Sequence, residues 1–197
     1  MTQGPAQDQD PDANPGPGAD PDPGADPGPG ADPDAGADPG RDRDPAGRPR
    51  NSRPRDALGR PLPRGETGAE RVPDDLSLPP PDALALAQRL LDSGRPFGAH
   101  EVLEASWKQA PEPERELWRG LAQVAVGLTH VQRGNARGAV ALLRRGAERV
   151  GGYTAAPPHG IDAAGVARAA AGLAVQIETA GDTAAVSSQP RISLTRG

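Results

Sequence analysis

The chain has 197 residues and a net charge of −5; Gly 26 and Pro 25 together make up about a quarter of it, and it has two Trp, one Tyr, one Phe and no Cys. The lack of cysteine excludes a disulfide framework, a thiolate metal site and a cysteine nucleophile, and the acidic balance gives no general case for nucleic-acid binding. No run approaches the ~20 apolar residues of a membrane span, and MTQGPAQDQD lacks the basic and apolar regions of a secretory signal, so the expected location is the cytoplasm.

Composition divides the chain sharply. Residues 1–81 hold 19 of the 25 prolines and only 16 hydrophobic residues, whereas residues 82–180 hold 47 hydrophobic residues and all the aromatics. The expected organisation is therefore a disordered tail over 1–81, one helical domain over 82–180 and a second disordered tail over 181–197. GADP recurs at 18–21, 24–27, 30–33 and 36–39. Proline removes a donor and pushes its predecessor to extended geometry, and no large apolar side chain offsets the entropy of ordering. Residues 1–40 carry nine Asp and no basic residue, while 41–71 carry nine Arg against five acids. That basic segment is the one place where a nucleic-acid contact has any support, and a solvated tail accounts for it more simply.

Five helices are predicted. Asp82 is a possible cap for the first, with Leu84, Ala87, Leu90 and Leu91 at helical spacing and Gly94 as its stop. The second runs from Pro96 to Pro111. The third starts near Pro113, carries Leu117, Leu121, Val124, Leu128 and Val131 as its apolar stripe, and stops at Gly134. Asn135 is placed to cap the fourth, which reaches about Val150, and Asp162 to cap the fifth, which packs through Val166, Leu173 and Ile177. Short connections make neighbours antiparallel. Glycines inside the helices, such as Gly120, Gly127, Gly138 and Gly146, suggest close helix approach, with high-GC coding bias an equal explanation for some of them. The fold class is all-α, a compact bundle of about five helices.

The second helix carries the informative polar residues. His100 and Glu104 are four apart and share a face with Leu103 and Trp107. Burying a charge requires a partner. The third helix offers Gln123 and His130, two turns apart on one face, with Gly127 between them leaving room for a side chain, a water or a ligand. If the two helices pack antiparallel, His100, Glu104, Gln123 and His130 converge into an N/O donor set for one divalent metal: zinc, iron or manganese. His100, Glu104 and His130 would be the ligands. The competing reading is a self-satisfied buried network that fixes helix register. Trp107 and Trp118 read as packing, Asn135 as a cap, Gly138 as a close-packing position, His159 as exposed, and the arginines at 133, 137, 144, 145 and 149 as a solvated basic face.

FGAHEVLEASW followed by GLAQVAVGLTHVQRGNARGAVALLRRG resembles the bacterial and archaeal family called domain of unknown function 309. The matching residues are His100, Glu104 and Trp107 in the first motif, then Gly120, Leu121, Gln123, His130, Gly134, Asn135 and Gly138 in the second. The resemblance covers about 84–177. It implies a small all-helical domain with a suspected metal or active site around the His and Glu, and it implies no reaction. Thr129 stands where the resemblance leads one to expect an aromatic. Two functions follow as expectations: a helical domain with a metal or active site, in which Glu104 is base or ligand, or a non-catalytic protein-interaction module with a structural cluster.

Overall fold

A computed structural model describes residues 54–63, 65–69, 72–73, 76–187 and 190–196. The GADP repeats and the acidic run of 1–40 lie outside these residues, as does part of the arginine-rich segment. Five helices pack together: α1 (Pro80–Asp92), α2 (Pro96–Gln109), α3 (Glu112–Gln132), α4 (Ala136–Gly151) and α5 (Ala163–Ala180). Among the described residues there is no strand, only two isolated bridges.

Local chemistry sets most boundaries. The Asn135 side chain accepts from Gly138 N, and the Asp162 side chain accepts from Gly165 N, so α4 and α5 are capped as the sequence predicts. α1 differs. It begins at Pro80, and Asp82 is a first-turn residue rather than its cap. The N–H groups of a first turn have no intrahelical acceptor, so a run of prolines there loses nothing and supplies the helical φ. Asp82 then places its charge at the positive end of the helix.

α3 is the central helix, packed against α2 on one side and α4 on the other; α1 covers α2, and α5 covers α4. Both α3 contacts are antiparallel. Gln132, at the end of α3, donates to the Gly94 carbonyl just before α2, while Arg119 near the start of α3 lies over Trp107 near the end of α2. On the other side a Cβ on Gly127 would sit 2.8 Å from Leu143 Cγ, and one on Gly146 would sit 2.7 Å from Val124 Cγ2. The interior glycines thus let α3 and α4 approach closely. The space beside Gly127 holds Leu143, not a water or a ligand.

Described parts of both flanks are anchored to the helices. Ile192 is 4% exposed and Leu194 1% exposed, both part of the core. Asp162 N donates to Leu194 O at 2.9 Å, and Arg196 N donates to Gly160 O at 3.2 Å. On the N-terminal side Arg133 Nε donates to Leu58 O at 2.9 Å, and Gly59, at φ 76, packs its backbone under the Phe97 ring, where a Cβ has no room. Composition misses such anchoring because one or two apolar residues in a prepared groove suffice, and they barely move a window average. No helix among the described residues is long and apolar enough to cross a membrane.

Candidate functional site

Helical spacing brings His100 and Glu104 together on α2, with His100 Nε2 3.5 Å from Glu104 Oε2. Lys108, one turn on, reaches Glu104 Oε1 at 2.8 Å. The His100 side chain is 13% exposed and that of Glu104 24%. The Phe97 ring lies 6.1 Å from the His100 ring. His100 Nδ1 is buried with no hydrogen-bond partner among the described residues. Burial pushes the His100 imidazole below its ordinary value of 6.5; Glu104 opposes this and Lys108 adds to it.

This has a sign that can be measured. Below pH 6.5 the unfolded chain takes up a proton at His100 before the folded chain does, so stability falls as the pH falls through this window. His100→Gln is expected to flatten the dependence of unfolding free energy on pH between 6.5 and 5. Denaturant titrations of both proteins across that range check it, and an unchanged slope refutes it.

Gln123 is buried on α3 and accepts from Arg149 Nη1 at 3.0 Å. Arg149 Nε also donates to Glu116 Oε2 at 2.7 Å, and Arg119 Nη1 approaches Glu116 Oε1 at 3.4 Å. Burial works against the Glu116 charge, but the hydrogen bond and charge of Arg149, then those of Arg119, hold its carboxyl below the usual range. The Arg119 guanidinium carbon stands 5.7 Å from the Trp107 ring centre. The predicted Gln123 and Trp107 therefore belong to one ionic network that ties α3 to α4.

His130 is buried at the last turn of α3. Its Nδ1 is 2.8 Å from Asn135 Nδ2, while Asn135 Oδ1 accepts from Gly138 N at 2.9 Å. The cap bond fixes which end of the amide is oxygen, so its nitrogen must donate to His130 Nδ1. The imidazole accepts there and, when neutral, carries its proton on Nε2. A Cβ on Gly138 would sit 2.6 Å from that Nδ1, which explains the glycine. Thr129, also buried, donates back to the Ala125 carbonyl. Asn135→Ala removes the α4 cap and the donor to a buried imidazole together; it is expected to lower stability by about 2 kcal/mol, measurable by denaturant unfolding.

Of the four predicted site residues, His100 and Glu104 meet each other, whereas Gln123 bonds to Arg149 and His130 to Asn135. Among the described residues no group of three or more His, Cys, Asp or Glu side chains is placed to hold a metal ion. His100, Glu104 and His130 form no such group.

The sequence reading passes over a second polar cluster. The His159 Nε2 and the Trp118 indole Nε1 both meet Glu114 Oε2, at 2.8 and 3.2 Å. His159 holds a left-handed backbone (φ 56) between Pro158 and Gly160; it is exposed, as the sequence suggests, and its side chain pairs with Glu114. Glu114 and Trp118 also line a cavity of about 180 Å³ with Leu78, Val102 and Gln109. Glu114 and Trp118 are four apart on one helix, which is a legible signal; the arrival of His159 from a distant turn is not.

Both motifs, their caps and the α2–α3–α4 packing fall in one stretch of chain. Residues 84–142 match the family model described as a domain of unknown function (DUF309). They form a DUF309 domain. The match takes in both motifs, from His100 to Gly138, and is shorter than the 84–177 of the sequence resemblance. The part of α4 from Leu143 onward, α5 and the docked segments 54–63 and 190–196 lie outside it. No curated protein and no solved structure matches the chain.

Proposed function

We propose that the DUF309 domain with its docked flanks is a non-catalytic protein-interaction module in which the motif residues are internal contacts. The observation that carries this reading is His130. It is the most buried histidine of the motifs, its Nδ1 accepts from Asn135, and Asn135 in turn caps α4. A metal ligand needs a free lone pair, and Nδ1 of this imidazole is already engaged by a group with a structural duty. The basic face points the same way. Arg149 pairs with Glu116, Arg144 with Glu178, and Arg133 holds Leu58 O, so three of its five arginines serve contacts within the chain instead of awaiting an anion.

Thermal melts of the full chain test this. His130→Ala is expected to lower the melting temperature, and zinc or manganese is expected to leave the parent unchanged. A metal-dependent rise in the parent, lost in His100→Ala, overturns the reading.

A second reading rests on the unpartnered Nδ1 of His100. A buried acceptor beside a carboxylate suits a ligand hydroxyl or an ordered water. Nitrogen-15 shifts of the His100 ring decide between these, since a bound donor at Nδ1 moves that resonance and an empty site leaves it unshifted.

A further inference from the structure

The segment 190–196 is held the way a peptide ligand is held. Gln88 of α1 grips it on two backbone groups: its Oε1 accepts from Leu194 N at 2.8 Å, and its Nε2 donates to Ile192 O at 3.2 Å. Asp92 Oδ1 accepts from the same Nε2 at 2.9 Å, which orients the amide. On the α5 side the segment pairs antiparallel with the turn that enters the helix, through the bridge between Ile161 and Thr195 and the bonds Asp162 N to Leu194 O and Arg196 N to Gly160 O. Arg196 adds a 3.8 Å ion pair with Asp162. Four backbone groups are thus satisfied, and Ile192 and Leu194 fill apolar pockets while Ser193 between them is exposed. Backbone pairing with alternate side chains in pockets is the physics of strand-addition recognition. The grip is built from residues outside both DUF309 motifs.

α5 is followed by Gly181 in a left-handed turn; of the described residues 182–187, Asp182, Ala184, Ala185 and Ser187 are exposed, while Val186 packs against the core. The 18 residues of α5 rise about 27 Å. The chain from Gly181 back to Leu194, beside the start of α5, reaches about 43 Å when extended. Docking in cis therefore uses slack, and nothing in the grip itself requires the segment to come from the same molecule.

We propose that the groove between α1 and the turn entering α5 is an exchangeable site for an extended peptide. Its occupant in trans is residues 190–196 of a second copy, giving a swapped, two-fold dimer. This gives the interaction-module reading a partner chemistry and rests on that reading for its purpose, though not for its geometry.

Deleting residues 182–187 from the full chain is the test. The remaining link reaches only about 24 Å, too short to return the length of α5. Light scattering is expected to find the wild-type chain monomeric and the deletion chain dimeric with the same helical content. Adding Gln88→Ala to the deletion is expected to raise the dimer dissociation constant at least tenfold. A folded, monomeric deletion chain with a protease-sensitive C-terminal segment overturns the proposal. If the deletion chain does not fold, a protease site placed within 182–187 of the otherwise intact chain decides instead. After cleavage, a fluorescent peptide of residues 190–196 is expected to replace the nicked segment, and absence of exchange overturns the proposal. Either failure leaves the metal and melting experiments on His100 and His130 to judge the interaction-module reading separately.

Discussion

Trp118→Ala is expected to destabilise the protein by about 3–5 kcal/mol, the range for emptying a large aromatic site in a core. Trp118 is the largest fully buried side chain among the described residues. Its removal deletes core packing and also removes the indole N–H from Glu114 Oε2. Glu114 then keeps His159 as its partner, in a turn whose left-handed histidine has its side chain anchored there. A small domain has only about 5–15 kcal/mol in total, so the melting temperature should fall by at least about 12 °C. Trp118→Phe, which keeps most of the volume and loses the hydrogen bond, should cost clearly less. Trp107 provides the contrast. It is half-buried beneath Arg119, and Trp107→Ala should cost well under the Trp118 value. Equal losses at the two positions, measured by denaturant unfolding, contradict this account.

The two tryptophans show what the sequence can and cannot say. Both stand at helical spacing with apolar neighbours, and nothing local ranks them. Their ranking depends on which helices cover them, and that is a tertiary fact. The helices themselves were legible because their signals are local: Asn135 and Asp162 cap within three residues, and the stripe from Leu117 to Val131 follows the helical period. The close α3–α4 approach was legible in part, from the interior glycines Gly120, Gly127 and Gly146.

The candidate site was legible only in part. Spacing gave the His100–Glu104 pair correctly, because both residues lie on one helix. It also suggested that Gln123 and His130 would join them, and that step needs the register between helices. Each α3 residue has a bond that spacing within one helix does not forecast: Arg149 comes to Gln123 from α4, and Asn135 folds back on His130 from the turn. The partner side chains were visible in the sequence as a basic face and a cap. Their second duties were not.

Leu194→Ala is the other large expected effect, a loss of about 2–5 kcal/mol, at a residue that composition assigns to a disordered tail. Leu194 is 1% exposed, in contact with the main core, and its backbone joins Gln88 to the start of α5. Ser193, one residue away and exposed, serves as the control: Ser193→Ala should stay within about 0.5 kcal/mol of the parent. Only a segment docked as a strand gives so sharp an alternation, since one step along an extended chain turns a side chain from pocket to solvent. A free tail predicts no loss at either residue. A helical tail would instead carry its sensitive positions three or four residues apart. Unfolding curves of these two variants therefore decide whether the domain ends at α5 or includes the returning segment. The same alternation, Ile-x-Leu, was present in the sequence all along. It was too short to register as a strand without the Gln88 amide and the Ile161 turn that pair with it.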